Sequence, residues 1–190
     1  MLGILYDIHG NIPALERLKA LPNATWIRGN GERWLREPPL DRPEVMETYE
    51  VFRGSYDDEL VDWLYGLATQ AELDGNLYVH GSPLSDVESF HPERTDDDER
   101  LLAGVHDRTV VFGHSHQQFR RPGPSGTDLI NPGSVGMPLD GDVRAAWATW
   151  EGDFELRRTE YDVARAAAGY RSMGGDFGEF AARRIERGSD

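Results

Sequence analysis

The sequence predicts an α/β fold in which a parallel βα unit gives way to a run of antiparallel strands. Three observations carry this expectation. A short apolar run at residues 2–6 is followed at once by a helical pattern and by a second apolar run at 24–28, the signature of a βαβ unit. A continuous apolar stretch at 109–112 reads as a buried strand. Beyond it, short strand candidates follow in quick succession, with connections too short for parallel crossovers.

The elements are expected in the following order. The first strand ends at Asp7, and a helix over 12–21 follows, with Asn11 able to cap it, Pro13 suited to its first turn, and Leu15, Leu18 and Leu21 at helical spacing. Pro22 and Asn23 stop that helix, and Gly29 breaks the strand at 24–28. Residues 41–70 read as helical: Met46, Tyr49 and Phe52 form one apolar stripe, and Leu60, Trp63, Leu64 and Leu67 form another after Gly54. Asp74-Gly75 marks a hairpin turn between Glu72-Leu73 and Leu77-Tyr78-Val79. The polar, acidic stretch at 83–98 reads as an exposed loop. Strands are then expected at 118–121, 127–130, 144–150 and 154–158, and closing helices at 161–173 and 177–185.

Composition narrows the function. The chain has 190 residues, 38% hydrophobic and 28% charged, which suits a globular protein able to bury a core without staples. It has no cysteine, so a disulfide scaffold, a thiolate zinc site, an iron–sulfur cluster and a cysteine nucleophile are all excluded. A net charge of −14, from 34 acidic against 20 basic residues, argues against a broad nucleic-acid-binding face. No apolar run reaches the ~20 residues of a membrane span, and the N-terminus lacks the charge pattern of a signal peptide. The expectation is a soluble, cytoplasmic chain with neither membrane nor nucleic acid as partner. Lys19 is the only lysine, a compositional signature of GC-rich coding or a salt-adapted host rather than of catalysis.

The chemistry concentrates at strand ends. The first strand runs into Asp7-Ile8-His9, the Leu77 strand into His80-Gly81-Ser82, and the Val110 strand into Gly113-His114-Ser115-His116. Asn30 holds the equivalent place after the Trp26 run. Taken singly, such a histidine is more often a surface or capping residue, Asp7 could cap a helix, and Asn30-Gly31 could be a plain turn. Four of the six histidines at these positions is not what that bland reading anticipates. His91 and His106 are left with it, and Arg120 and Arg121 read as a solvated strand face rather than as phosphate contacts. Carboxylate and neutral imidazole suit zinc, manganese, iron or nickel, and the lack of thiolate fits a labile catalytic site.

Together these residues resemble the calcineurin-like metallophosphoesterases, and in particular their small bacterial phosphodiesterase and phosphatase branch. The resemblance runs through Asp7-Ile8-His9-Gly10-Asn11, Arg28-Gly29-Asn30, Val79-His80-Gly81-Ser82-Pro83, Gly113-His114-Ser115-His116 and Asn131-Pro132-Gly133-Ser134-Val135-Gly136. It implies two facing mixed β-sheets flanked by helices, an αββα sandwich, as a single domain over 1–190 with closing helices at 161–190. It also implies that Asp7, His9 and His116 hold one divalent ion and Asn30, His80 and His114 another, with Asn30 and His80 among the catalytic residues. One or two ions (Mn, Zn, Fe or Ni) would then clamp the phosphoryl group of a small phosphorylated substrate while a metal-bound hydroxide attacks phosphorus.

The sequence departs from the family pattern in two places. The family sets a Gly-Asp pair between the first motif and the Asn motif, and its Asp bridges the metals; here only the helix at 12–21 separates the two runs. Gly141-Asp142, Gly152-Asp153 and Gly175-Asp176 stand in the wrong context, and Glu32 is a weak candidate for the lost carboxylate. The missing piece amounts to a strand and a helix, lost naturally or absent from a shortened version of a longer protein. Gly31 stands where many relatives carry a histidine able to protonate the leaving alkoxide. The resemblance thus implies a metallophosphoesterase that favours good leaving groups. Its alternative is a catalytically impaired relative that binds phosphate or a partner protein.

Overall fold

The computed structural model describes residues 1–9 and 12–190. Asn11, expected to cap the first helix, lies outside the described residues, as does the Phe52 side chain. The element order is β1 (Leu2–Ile4), α1 (Ile12–Lys19), α2 (Asn30–Trp34), α3 (Pro43–Ser55), α4 (Asp58–Tyr65), β2 (Gln70–Leu73), β3 (Asn76–Val79) and α5 (Asp98–Leu101). It continues with β4 (Thr109–Val111), β5 (Phe119–Pro122), β6 (Asp128–Asn131), β7 (Ala145–Trp150), β8 (Phe154–Thr159), α6 (Val163–Ser172) and α7 (Gly175–Arg187).

The strands form two sheets flanked by helices. One has three strands in the order β1-β7-β8, and the other has five in the order β2-β3-β4-β6-β5. In the larger sheet β3, β4 and β6 run parallel, so their C-terminal ends share one edge. The expected hairpin is present: β2 and β3 pair antiparallel, with Asp74 and Gly75 both at positive φ, 51° and 81°.

Strand periodicity explains how the sheets meet. Tyr78, Val111 and Ile130 point from the larger sheet into a core shared with Ile4, Tyr6, Ala148 and Phe154 of the smaller one. Their neighbours Leu77, Val79, Val110, Phe112 and Leu129 point the other way, onto Leu101, Leu102 and Phe90. Gln118 fastens the layers: its amide donates to the carbonyls of Pro132, Trp147 and Arg157, and its carbonyl accepts from Arg158. The closing helices α6 and α7 pack Ala167, Ala181, Ala182 and Ile185 around Met137.

Four sequence expectations are corrected. β1 pairs antiparallel with β7, and residues 24–28 make only a single bridge, Ile27 to Ala68, so no βαβ unit forms at the N-terminus. The local pattern could not reveal that β1 has its partner at the far end of the chain. The late strands are not uniformly antiparallel: β6 lies parallel to β4 because β5 passes to the outer edge, and β7 and β8 join the other sheet. The 83–98 loop is not simply exposed, since Phe90 and Asp98 are buried. Arg121 is no solvated side chain either, because its Nη1 lies 2.8 Å from the buried Asp98 carboxylate.

Candidate metal centre

Two of the four site segments are held in a conformation that most residues avoid. Asp7, His9, His114 and His116 all have positive φ, between 53° and 66°. Such left-handed backbone at non-glycine residues persists only where the surroundings impose it. The 131–136 segment does so for Asp7. Val135 N–H donates to Tyr6 O at 3.0 Å, Gly136 N–H to Asp7 O at 3.1 Å, and the buried Ser134 hydroxyl to Asp7 O at 2.9 Å. Gly136 is required here, since a Cβ would lie 2.6 Å from Ile8 O. From α6, the Tyr170 hydroxyl donates to His9 O at 3.1 Å.

The larger sheet supplies the other histidines from adjacent parallel strands. Gly113 N–H donates to His80 O at 2.7 Å, which ties the ends of β3 and β4 together. The fully buried Asn131, at the end of β6, donates to Gly113 O and to the Ser115 hydroxyl at 3.1 and 2.9 Å. Asn30 opens α2, whose start is fixed by the Glu32 carboxylate accepting Gly29 N–H at 2.8 Å. That bond turns Glu32, considered above as a substitute ligand, onto its own helix start.

All six residues singled out in the sequence are brought together, in two sets. In the first, His9 Nε2 and His116 Nε2 face each other at 2.8 Å, and Asp7 Oδ1 stands 3.6 Å from His116 Nε2 and 4.0 Å from His9 Nε2. In the second, Asn30 Oδ1 lies 2.7 Å from His80 Nε2 and 3.2 Å from His114 Nδ1, and those two nitrogens are 3.3 Å apart. Asp7 stands beside both: its Oδ1 is 3.9 Å from His80 Nδ1, and its Oδ2 accepts His114 N–H at 3.0 Å. His91 and His106 lie exposed, as expected. The sequence reading missed Asp86, which grips Arg33 bidentately at 2.6 and 2.9 Å and interacts electrostatically with His80 and His114. Nothing in an acidic loop singles out that one carboxylate.

The electrostatics fit a divalent cation in the first set. Burial lowers the His9 imidazole to about 3, helped by the His116 ring, and burial with the neighbouring His80 ring lowers His114 to about 4. Both rings are therefore neutral at pH 7, the form that ligates. Burial works to raise the Asp7 carboxyl, but the imidazoles of His116, His80 and His9 outweigh it and hold the group well below the usual carboxylate range. Among the described residues, the ion-pair partners of Asp7 are imidazoles, with no arginine or lysine in reach. Two imidazole nitrogens 2.8 Å apart share at most one proton. A buried carboxylate beside neutral imidazole nitrogens is a donor set that a divalent ion would complete.

Fold and site together define a two-sheet α/β protein with a histidine- and carboxylate-based candidate metal centre at its strand ends. Residues 2–153 match the calcineurin-like phosphoesterase superfamily domain, and the chain belongs to that superfamily, whose members bind divalent metals and hydrolyse phosphoesters. Among solved structures, a metallophosphoesterase from Sphaerobacter thermophilus superposes with a TM-score of 0.73 at 22% identity, covering 98% of each chain. A hypothetical protein from Pyrococcus horikoshii OT3 gives a TM-score of 0.74 at 17% identity, over 94% of this chain and 79% of that one. These likenesses establish the fold, including the two-sheet sandwich anticipated from the motifs. No curated protein matches the chain significantly.

Proposed function

We propose that the chain hydrolyses a phosphoester of a small phosphorylated compound, with Asp7, His9 and His116 holding one divalent ion and Asn30, His80 and His114 a second. The observation that carries this reading is the convergence of six donor side chains, with His9 Nε2 and His116 Nε2 face to face at 2.8 Å beside the Asp7 carboxylate. Divalent ions supply charge stabilisation for the phosphoryl oxygens and acidify water at neutral pH. Manganese, zinc, iron and nickel all suit these donors.

The protein's own residues set the limits of the reaction. Asp7 gives the first set its formal charge and accepts His114 N–H, so it also orients the second set. Gly31, beside Asn30, has no group to protonate a leaving alkoxide, so phosphodiesters and aryl esters are favoured over alkyl monoesters. A second reading, a relative that binds phosphate or a partner protein without turnover, draws on one observation: Asp7 is the only carboxylate in the cluster found among the described residues.

Metal analysis of the purified protein, with turnover of bis(p-nitrophenyl) phosphate in added manganese, separates the two. Two ions per chain and metal-dependent turnover are expected. One ion or none, without turnover, would favour the binding protein.

A further inference from the structure

Beside the site lies an open groove of about 330 Å³, between the end of α2, the turn before α3, and Val87. This is near the lower end of the roughly 300–1,000 Å³ of small-ligand pockets. It adjoins the chemistry on two sides. Asn30 and Trp34 are the first and last residues of α2, about 6 Å apart along the helix axis. Arg33, also in the wall, grips Asp86, the residue before Val87 and an electrostatic neighbour of His80.

Among the described residues, two groove residues are unpartnered where the other tryptophans and the other half-buried arginines are engaged. Trp26 and Trp63 stack edge to face, Trp147 donates to Thr159, and Trp150 leans on Phe154. The Trp34 indole, half-buried, has no ring contact and no hydrogen bond among the described residues. Likewise Arg42 is the one half-buried arginine, among the described residues, whose guanidinium has neither an ion pair nor a hydrogen bond. Asp41 adds an acceptor to the same wall, and Pro38 and Pro39 stiffen it.

We propose that this groove binds the nucleobase of a nucleotide ester whose phosphate sits at the six-residue cluster. A flat aromatic platform suits any planar ring, but a donor and an acceptor lining the same groove suit a ring whose edge carries both, as a base does and a plain aryl group does not. This rests on the phosphoesterase reading and names its substrate class.

The test compares two esters with the same leaving group, thymidine 5′-monophosphate p-nitrophenyl ester and methyl p-nitrophenyl phosphate. The wild-type kcat/KM should favour the thymidine ester by about tenfold or more, through KM. Trp34→Ala should bring that ratio to near parity, and Trp34→Phe should restore most of it. The ratio does not depend on how much protein is active, so poor folding cannot mimic the result. Equal kcat/KM values in the wild type, or a ratio unchanged in Trp34→Ala, would overturn the proposal. Equilibrium dialysis with thymidine 5′-monophosphate against inorganic phosphate gives a second readout. Nucleotide binding that Trp34→Ala abolishes, without turnover of either ester, would sustain the groove and sink the hydrolase reading. Phosphate bound as tightly as the nucleotide would overturn the groove.

Discussion

The Asp7 carboxylate accepts the backbone N–H of His114 at 3.0 Å, joining the end of β1 to the turn after the central strand of the larger sheet. A Cβ on Gly113 would lie 2.6 Å from the same carboxylate, so the approach depends on glycine there. Asp7 is thus shared by both sets of donors, although the sequence assigns it only to the first.

Asp7→Asn should therefore lower affinity for the first ion by at least about 100-fold, beyond the effect of losing an outer-shell partner, and should weaken the second ion too. Asn30→Ala should leave the first ion in place and weaken only the second, most visibly without phosphate. Titration calorimetry of both variants checks this. Equal loss of the first ion in both would show that the two sets do not fill independently.

Gly29 and Gly31 flank Asn30 and should respond oppositely to substitution by alanine. A Cβ on Gly29 would fall 2.6 Å from the His80 ring, whereas one on Gly31 meets nothing within 4 Å. Gly29→Ala should displace His80 and cut turnover by tenfold or more, on the order of 1.4 kcal/mol, with the fold intact by circular dichroism. Gly31→Ala should stay within about twofold of the wild type. Comparable rates for the two variants would refute the close approach.

Ser134→Ala removes a buried hydroxyl that donates to Asp7 O and accepts Met137 N–H at 2.8 Å. The expected destabilisation is about 1–3 kcal/mol, read as a fall in Tm of roughly 2–4 °C per kcal/mol for a chain of this size. An unchanged Tm would mean that this hydroxyl does not hold the Asp7 backbone.

The Tyr56 phenol is pushed up to about 12, mainly by burial and further by the Glu32 carboxylate. Its unfolded counterpart ionises near 10. Between those values the folded state keeps a proton that the unfolded state loses, so this contribution is intact below about pH 10 and disappears as pH rises towards 12. Denaturant melts from pH 9 to 11.5 should show stability falling faster in the wild type than in Tyr56→Phe. Parallel slopes would contradict the shift.

Much of the site was legible because its residues sit where strand patterns stop. His80 and His114 follow apolar runs whose parallel neighbours line up their ends, so convergence could be read without long-range knowledge. The hairpin at Asp74-Gly75 was legible for a similar reason, since its turn chemistry is local. Illegible were contacts whose two halves lie far apart in the chain. The pairing of Leu2 with Trp150 is one, and the Arg33–Asp86 and Arg121–Asp98 pairs are others. Asn131 and Ser134 stood in a recognised motif, yet their work on the Gly113 and Asp7 carbonyls appears only in three dimensions.

Asp7 and His9 extend from the smaller sheet, while His80, His114 and His116 extend from the larger. An ion held by Asp7, His9 and His116 would therefore act as a rivet through both layers. Prising the layers apart and releasing the ion become one event, so heat resistance should report on metal content. At an ion concentration a hundredfold above its dissociation constant, the gain is about 2.7 kcal/mol. The coupling also runs outward. Gln118, whose side chain bonds no site residue but holds Pro132, Trp147 and Arg157 across the interface, would then influence from a distance how long such an ion stays bound.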